Sequence, residues 1–134
     1  MVVRIGSKLD TIPGLCYTYR RMNAINANKG QKKYVTYIAP DMDAPGKIYV
    51  GRSSGYGTPQ QILNRRKAGH HRNLGDLELD QVSESYAAIR GREHLVQDKL
   101  KALGLATDQF NPISPRNRRK EHYIQAAMKE FGEP

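Results

Sequence analysis

Two short runs of β-branched and aromatic residues, Lys33-Tyr34-Val35-Thr36-Tyr37-Ile38-Ala39 and Lys47-Ile48-Tyr49-Val50-Gly51, flank the polar stretch Pro40-Asp41-Met42-Asp43-Ala44-Pro45-Gly46. The intervening residues are dense in turn formers, so the pattern predicts two antiparallel strands joined as a hairpin. Alternation puts Ile48 and Val50 on one face and Tyr49 and Gly51 on the other. Symmetric closure of the hairpin makes Tyr37 and Tyr49 cross-strand neighbours, which is also an ordinary way to cover a sheet. Arg52-Ser53-Ser54-Gly55-Tyr56-Gly57 reads as a flexible loop.

Thr58-Pro59-Gln60-Gln61 then predicts a helix start. Thr58 can cap, Pro59 suits the first helical position and Gln61 completes a capping box. Ile62, Leu63 and Arg66 share one face, Arg65 points elsewhere, and Gly69 ends the helix. His70 and His71 lie just beyond the C-terminus, where a cationic imidazole is favoured. Partial alternation over 77–86 predicts a third strand around 79–85. A helix over about 87–103 follows, with Ile89, Val96, Leu100 and Leu103 as its apolar stripe.

The position one turn after Ile89 is Glu93. A carboxylate inside an apolar stripe is expensive unless it is paired, hydrogen-bonded or bound to metal, and the plain explanation is a structural ion pair with Arg66. Pro112 and Pro115 keep 104–117 non-helical. A last helix spans about 118–131, with Ile124, Ala127, Met128 and Phe131 on one side. Arg118, Arg119 and Lys120 at its start need an anion nearby, which Glu121 or a nucleic-acid phosphate would supply. Residues 1–32 read as an N-terminal extension, a short helix from Tyr17 to Asn26 or a linker. Its Arg20, Arg21, Lys29 and Lys32, with Lys33, form either a phosphate-contacting arm or a solvated lead-in.

The 134 residues suit one modest core, and 22 Lys+Arg against 13 Asp+Glu leave a formal +9, which points to a polyanion partner. A single cysteine, Cys16, excludes an intrachain disulfide framework. The chain shows neither an apolar run long enough for a membrane span nor a signal-peptide pattern at its start, so a soluble protein without membrane partners is expected. His70, His71, His94 and Cys16 fall into no paired CxxC or HxxxH pattern, which disfavours zinc.

Taken in order, Thr36-Tyr37 in one strand, Tyr49-Val50-Gly51 in the next, an arginine on the following helix and a glutamate on the helix after it resemble the GIY-YIG nuclease superfamily over about 33–117. Ala88-Ile89-Arg90-Gly91-Arg92-Glu93, Asn111-Pro112-Ile113-Ser114-Pro115, Tyr123-Ile124-Gln125-Ala126-Ala127 and Glu130-Phe131-Gly132 look more specifically like nuclease toxin domains of bacterial polymorphic toxins. The resemblance implies an α+β fold, a small three-stranded antiparallel sheet flanked by helices, with the nuclease domain over 33–134. It also implies one divalent metal, Mg²⁺ or Mn²⁺.

Carried over by position, the motif tyrosines are Tyr37 and Tyr49. The arginine is Arg66, with Arg65 as its alternative, and the metal-binding glutamate is Glu93. The asparagine is Asn111 behind Phe110, with Asn117 as its rival. The first motif lacks its glycine and isoleucine, and Asp108-Gln109 stands where the toxin subgroup has asparagine-lysine.

The implied activity is metal-dependent hydrolysis of DNA phosphodiester bonds by an antibacterial toxin domain. Such a domain is delivered from the producing bacterium, acts in the target-cell cytoplasm and is held in check by an acidic immunity protein. In that chemistry Glu93 holds the metal. Tyr49 acts as general base or orients the attacking water, its phenol shifted by nearby positive charge from Arg66, the metal and His70. Arg66 grips phosphate through its fork, Tyr37 hydrogen-bonds phosphate or water, Asn111 fixes local geometry and His70 assists. An RNase of the same fold, a binding module of the same fold that does not cut, and an unrelated basic binding protein are the competing readings.

Overall fold

The β-branched run at Lys33–Pro40 becomes β1, the central strand of the sheet, with an antiparallel neighbour on each side. A computed structural model describes residues 30–134. The expected helix from Tyr17 to Asn26, Cys16, and the basic residues Arg20, Arg21 and Lys29 lie outside the described residues. Lys33–Pro134 form one unit, built in the order β1, β2 (Ile48–Gly55), α1 (Pro59–Ala68), β3 (Glu78–Ser83), α2 (Tyr86–Ala102) and α3 (Lys120–Phe131). The fold is α+β, a three-stranded antiparallel sheet in the order β2-β1-β3 with three helices.

The expected hairpin is present, with two corrections. Strand β2 runs on through Arg52, Ser53, Ser54 and Gly55, which pair with Thr36, Val35, Tyr34 and Lys33, instead of leaving the sheet as a loop. Strand β1 is long enough to give those residues a ladder, and an extended chain takes one when it is offered. In the same register Tyr37 stands opposite Gly51 and Tyr49 opposite Ala39. The two tyrosines are therefore diagonal neighbours on one face, with ring centroids 6.4 Å apart.

On β3 the pairing shifts between Thr36↔Gln81 and Tyr37↔Leu79, so Asp80 is an extra residue. Bulges of this kind re-aim a side chain. The Asp80 carboxylate accepts hydrogen bonds from the Thr36 hydroxyl at 2.8 Å and from one edge of the Arg92 guanidinium, Nε at 2.8 Å and Nη2 at 2.9 Å. This fork ties β1, β3 and α2 together beside Tyr37. Val35, Tyr37, Ala39 and Tyr49 pack with Ile62 and Leu63 of α1 and with Leu74 into one apolar cluster. Helix α1 starts as the sequence predicts, with the reciprocal Thr58–Gln61 capping box and Pro59 in the first turn.

Helix α2 differs from the expected single stripe. Ala88, Ile89, Gly91, Arg92, Glu93, His94, Val96 and Gln97 are all buried, while Leu103 lies beyond the helix and is 61% exposed. A helix covered by the sheet on one side and by α3 on another buries most of its circumference, so its sequence need not show one clean stripe. Gly91 is what lets α3 approach. A Cβ at this position would stand 2.6 Å from the carbonyl carbon of Tyr123, closer still to its oxygen, and 3.0 Å from the Cβ of Ala127. Helix α3 begins at Lys120, two residues later than expected, and Arg119 at its N-cap offers no side-chain cap.

Candidate functional site

Four of the expected site residues meet in one cluster, although they come from β1, β2, α1 and the turn after α1. The Tyr37 hydroxyl lies 2.9 Å from His70 Nε2 and accepts a hydrogen bond from Arg66 Nε at 3.2 Å. The Tyr49 and His70 rings meet edge to face at 5.1 Å, and Tyr37 and His70 do so at 6.1 Å. Gly51 makes room for this. A Cβ there would stand 2.5 Å from Cζ and Oη of Tyr37 and 2.9 Å from Cε1 of Tyr49. Arg65, the alternative to Arg66, instead donates to the Tyr56 carbonyl at 2.6 Å.

The hydrogen bonds assign the His70 tautomer. Its Nδ1 accepts the backbone N–H of Arg72 at 3.1 Å. In a neutral imidazole the proton is then on Nε2, which donates to Tyr37. The Tyr37 oxygen thus receives two donors, Arg66 Nε–H and His70 Nε2–H. Neither water nor a docked phosphate reaches it, because Tyr37 is wholly buried (0% exposed), so the hydroxyl serves to position Arg66 and His70.

Neutrality of His70 corrects the expectation of a cationic residue just past α1. Burial lowers its pKa from 6.5 to about 4, and the charges of Arg66, His71, Arg72 and Lys67 push in the same direction. Burial and these cations together outweigh the favourable end of the helix dipole. Because the folded value is depressed below the unfolded one, the unfolded chain binds more protons between pH 6.5 and about 4. The contribution of His70 to stability is therefore complete above 6.5 and is lost as the pH falls through that window. Urea midpoints measured above and inside the window should fall more for the wild type than for His70→Gln, whose amide can still donate to Tyr37. Parallel curves would refute the neutral assignment.

Neither phenol is shifted in the direction a general base requires. Burial, above all, raises Tyr37 and Tyr49 beyond the ordinary value of 10.0, and the Glu93 charge adds to this, while Arg66 lowers both and Arg72 lowers Tyr49 without prevailing. The expected cationic help from His70 is absent, since that ring is neutral. Tyr49 is thereby suited to orienting a water as an intact phenol.

Glu93 is buried, and its partner is Arg52, not the Arg66 expected from the stripe. Arg52 Nε donates to Oε1 at 3.0 Å. Arg52 sits on β2 immediately after Gly51, where the sequence suggested a loop, and this is why the pairing could not be foreseen. Desolvation raises the Glu93 pKa, opposed by Arg52, Arg90 and Arg66. Glu93 in turn acts electrostatically on Tyr37 and Tyr49, which links it to the cluster.

The expected asparagine is not in the cluster. Asn111 is exposed, and its side-chain oxygen accepts from Lys101 Nζ on the last turn of α2. Its rival Asn117 accepts from the backbone N–H of Arg119 at 2.8 Å. Gln109 is the carboxamide that reaches the strand. Its Oε1 accepts from the Val50 N–H at 3.3 Å and its Nε2 donates to the Val50 carbonyl at 3.1 Å, closing the outer edge of β2 between Tyr49 and Gly51. Arg72 was also missed. It lies over the Tyr49 ring at 5.3 Å and donates to the Asp108 carbonyl at 2.9 Å. A polar side chain in a loop carries no periodic signal, so only the tertiary contacts reveal either role.

Among the described residues, no three His, Cys, Asp or Glu side chains are gathered to hold a metal. The donor set nonetheless suits a hard divalent ion at a single point. Among the described residues, Arg52 engages Oε1 of Glu93 and none donates to Oε2, which suits coordination. Mg²⁺ accepts a site with one carboxylate when water and substrate phosphate complete its shell. No protein-family model, curated protein or solved structure matches this chain.

Proposed function

We propose that this protein is a metal-dependent endonuclease of GIY-YIG type that hydrolyses DNA phosphodiester bonds. The observation that carries this reading is the convergence of Tyr37, Tyr49, Arg66 and neutral His70 into one hydrogen-bonded and stacked cluster under the charge of Glu93. A net charge of +9 supplies the attraction for a polyanionic substrate.

Hydrolysis needs an activated water, neutralisation of the charge that builds on phosphate, and help for the leaving oxygen. Arg66 spends Nε on Tyr37, which leaves its outer N–H groups to hold a phosphate oxygen. Tyr37 is buried and holds Arg66 and His70 in place through its hydroxyl. Tyr49 orients the water for attack on phosphorus. The new P–O bond forms as the bond to the departing oxygen breaks; the attacking water releases a proton to bulk solvent, and the departing oxygen takes one up from solvent. Mg²⁺ or Mn²⁺ held at Glu93 would supply charge neutralisation and a more acidic water.

As a toxin or effector domain, the protein would act in the cytoplasm of a target cell, and an acidic immunity protein would cover its basic site. The test is supercoiled plasmid incubated with the purified protein in Mg²⁺ or in EDTA. Nicking or linearisation in Mg²⁺ alone is the expected result. Intact plasmid under both conditions, with structured RNA degraded, would replace DNA by RNA as the substrate. Binding without cutting of either would defeat the nuclease reading and leave a binding module.

A further inference from the structure

Five side chains outside the tyrosine cluster form an alternating series that begins at Arg52. The Arg52 guanidinium lies 5.3 Å from the centre of the Tyr86 ring. Arg90 lies between two rings, 5.9 Å from Tyr86 and 4.7 Å from Tyr123, and Arg119 lies 5.7 Å from Tyr123 on the start of α3. Tyr86 and Tyr123 themselves meet edge to face at 6.2 Å. The order is thus Arg52, Tyr86, Arg90, Tyr123, Arg119.

Arg90 and Arg119 are oriented without being neutralised. Arg52 shares Glu93, but among the described residues no carboxylate stands within ion-pair distance of Arg90 or Arg119. Arg90 has a buried Nε without a hydrogen-bond partner, while its Nη1 donates to the Tyr86 hydroxyl at 3.1 Å. Arg119 is exposed, and its neighbours Arg116 and Arg118 are exposed too. A guanidinium held on an aromatic ring loses little further freedom when it binds, and its planar fork matches phosphate.

We propose that this series is a track for the phosphates of one nucleic-acid strand, leading from the Glu93 end of the site along α2 to the start of α3. It rests on the nucleic-acid part of the nuclease reading and not on cleavage. The strand that reaches Glu93 meets Arg52 first, then Arg90, then Arg119, so the fragment on one side of the cut is held by groups that do no chemistry. Arg119, at the N-cap of α3, then has the anion that a position near a helix N-terminus favours.

The test is the affinity for a fluorescein-labelled single-stranded oligonucleotide in EDTA, measured across a salt series. Removing one phosphate contact to a single strand should lower the slope of log K against log salt by about 0.7. Arg119→Gln is expected to show that loss. Arg118→Gln, also exposed but off the series, is expected to leave the slope near that of the wild type. Arg119→Lys should restore the slope while binding more weakly, because the ammonium keeps the charge without the planar fork; this comparison also serves if the glutamine variant folds poorly. Equal effects at positions 118 and 119, or none at 119, would overturn the track. No binding by the wild type would overturn it together with the nucleic-acid reading. Binding through the track without metal-dependent plasmid cutting would defeat the nuclease reading alone.

Discussion

Glu93→Gln is expected to abolish plasmid cleavage while leaving the protein at least as stable as the wild type. The two halves of this result follow from the same fact. Burial holds the Glu93 pKa above the ordinary carboxylate value, so its ionised form costs the folded state free energy that the neutral amide does not. Oε1 of the new side chain can still accept from Arg52, and Arg52 is exposed enough for water to solvate its charge. The fold therefore loses little. The amide is a poor ligand for a hard cation and cannot neutralise charge near the phosphate, so the rate should fall by at least about a hundredfold, the scale on which loss of one preorganised electrostatic group acts. Cutting that persists in Glu93→Gln would sink the metal assignment. A melting temperature well below the wild type would sink the stability argument instead, and would show that the Arg52 pair is structural.

Gly91→Ala should have the largest effect on stability. In an open helix this change gains about 1 kcal/mol of helix propensity. Here the added methyl would meet the backbone carbonyl of Tyr123 at less than van der Waals distance, and backbone cannot rotate away as a side-chain tip can. Overpacking costs about 1–3 kcal/mol, and a clash with backbone belongs at the upper end, so a net loss of about 2 kcal/mol is expected from urea unfolding. Helix α3 must move off α2 to admit the methyl. Arg90 and Glu93 flank the contact in sequence, and Tyr123 provides it, so cleavage and strand binding should weaken together. An alanine variant as stable as the wild type would mean that the two helices do not pack at this distance.

The elements with strong local signals were legible from the chain. The Thr58–Gln61 capping box, the turn-rich loop between β1 and β2, and the prolines that keep 104–117 from being helical all work within a few residues of one another. The sequence also pointed to Glu93 as anomalous, since a carboxylate among apolar positions needs a partner. What it could not supply was which partner. Arg52 was hidden because whether β2 extends past Gly51 depends on the length of β1, a non-local property. The same holds for Asn111 and Gln109. Both are polar loop residues, and only the path of the chain past the edge of β2 determines that Gln109 reaches Val50 while Asn111 meets Lys101.

Electrostatic states lay further still from the sequence. The position of His70 after α1 suggested a cation, because the dipole of the helix is a local and readable effect. The fold instead partly buries that ring and places Arg66, His71, Arg72 and Lys67 around it, and these longer-range effects prevail. In the same way positive charge near Tyr49 suggested a lowered phenol, whereas burial raises it, as it does Tyr37.

By itself the sequence determined the α+β composition, the hairpin, the start of α1, the basic surplus and the oddness of Glu93, because capping, alternation and charge act over short distances or by simple sums. The tertiary structure alone decided the diagonal placement of Tyr37 and Tyr49, the Arg52–Glu93 pair, the neutral His70 and the alternating arginines and tyrosines on α2 and α3. Each of those depends on which distant segments share a register or a packing face, and on how much water that packing removes.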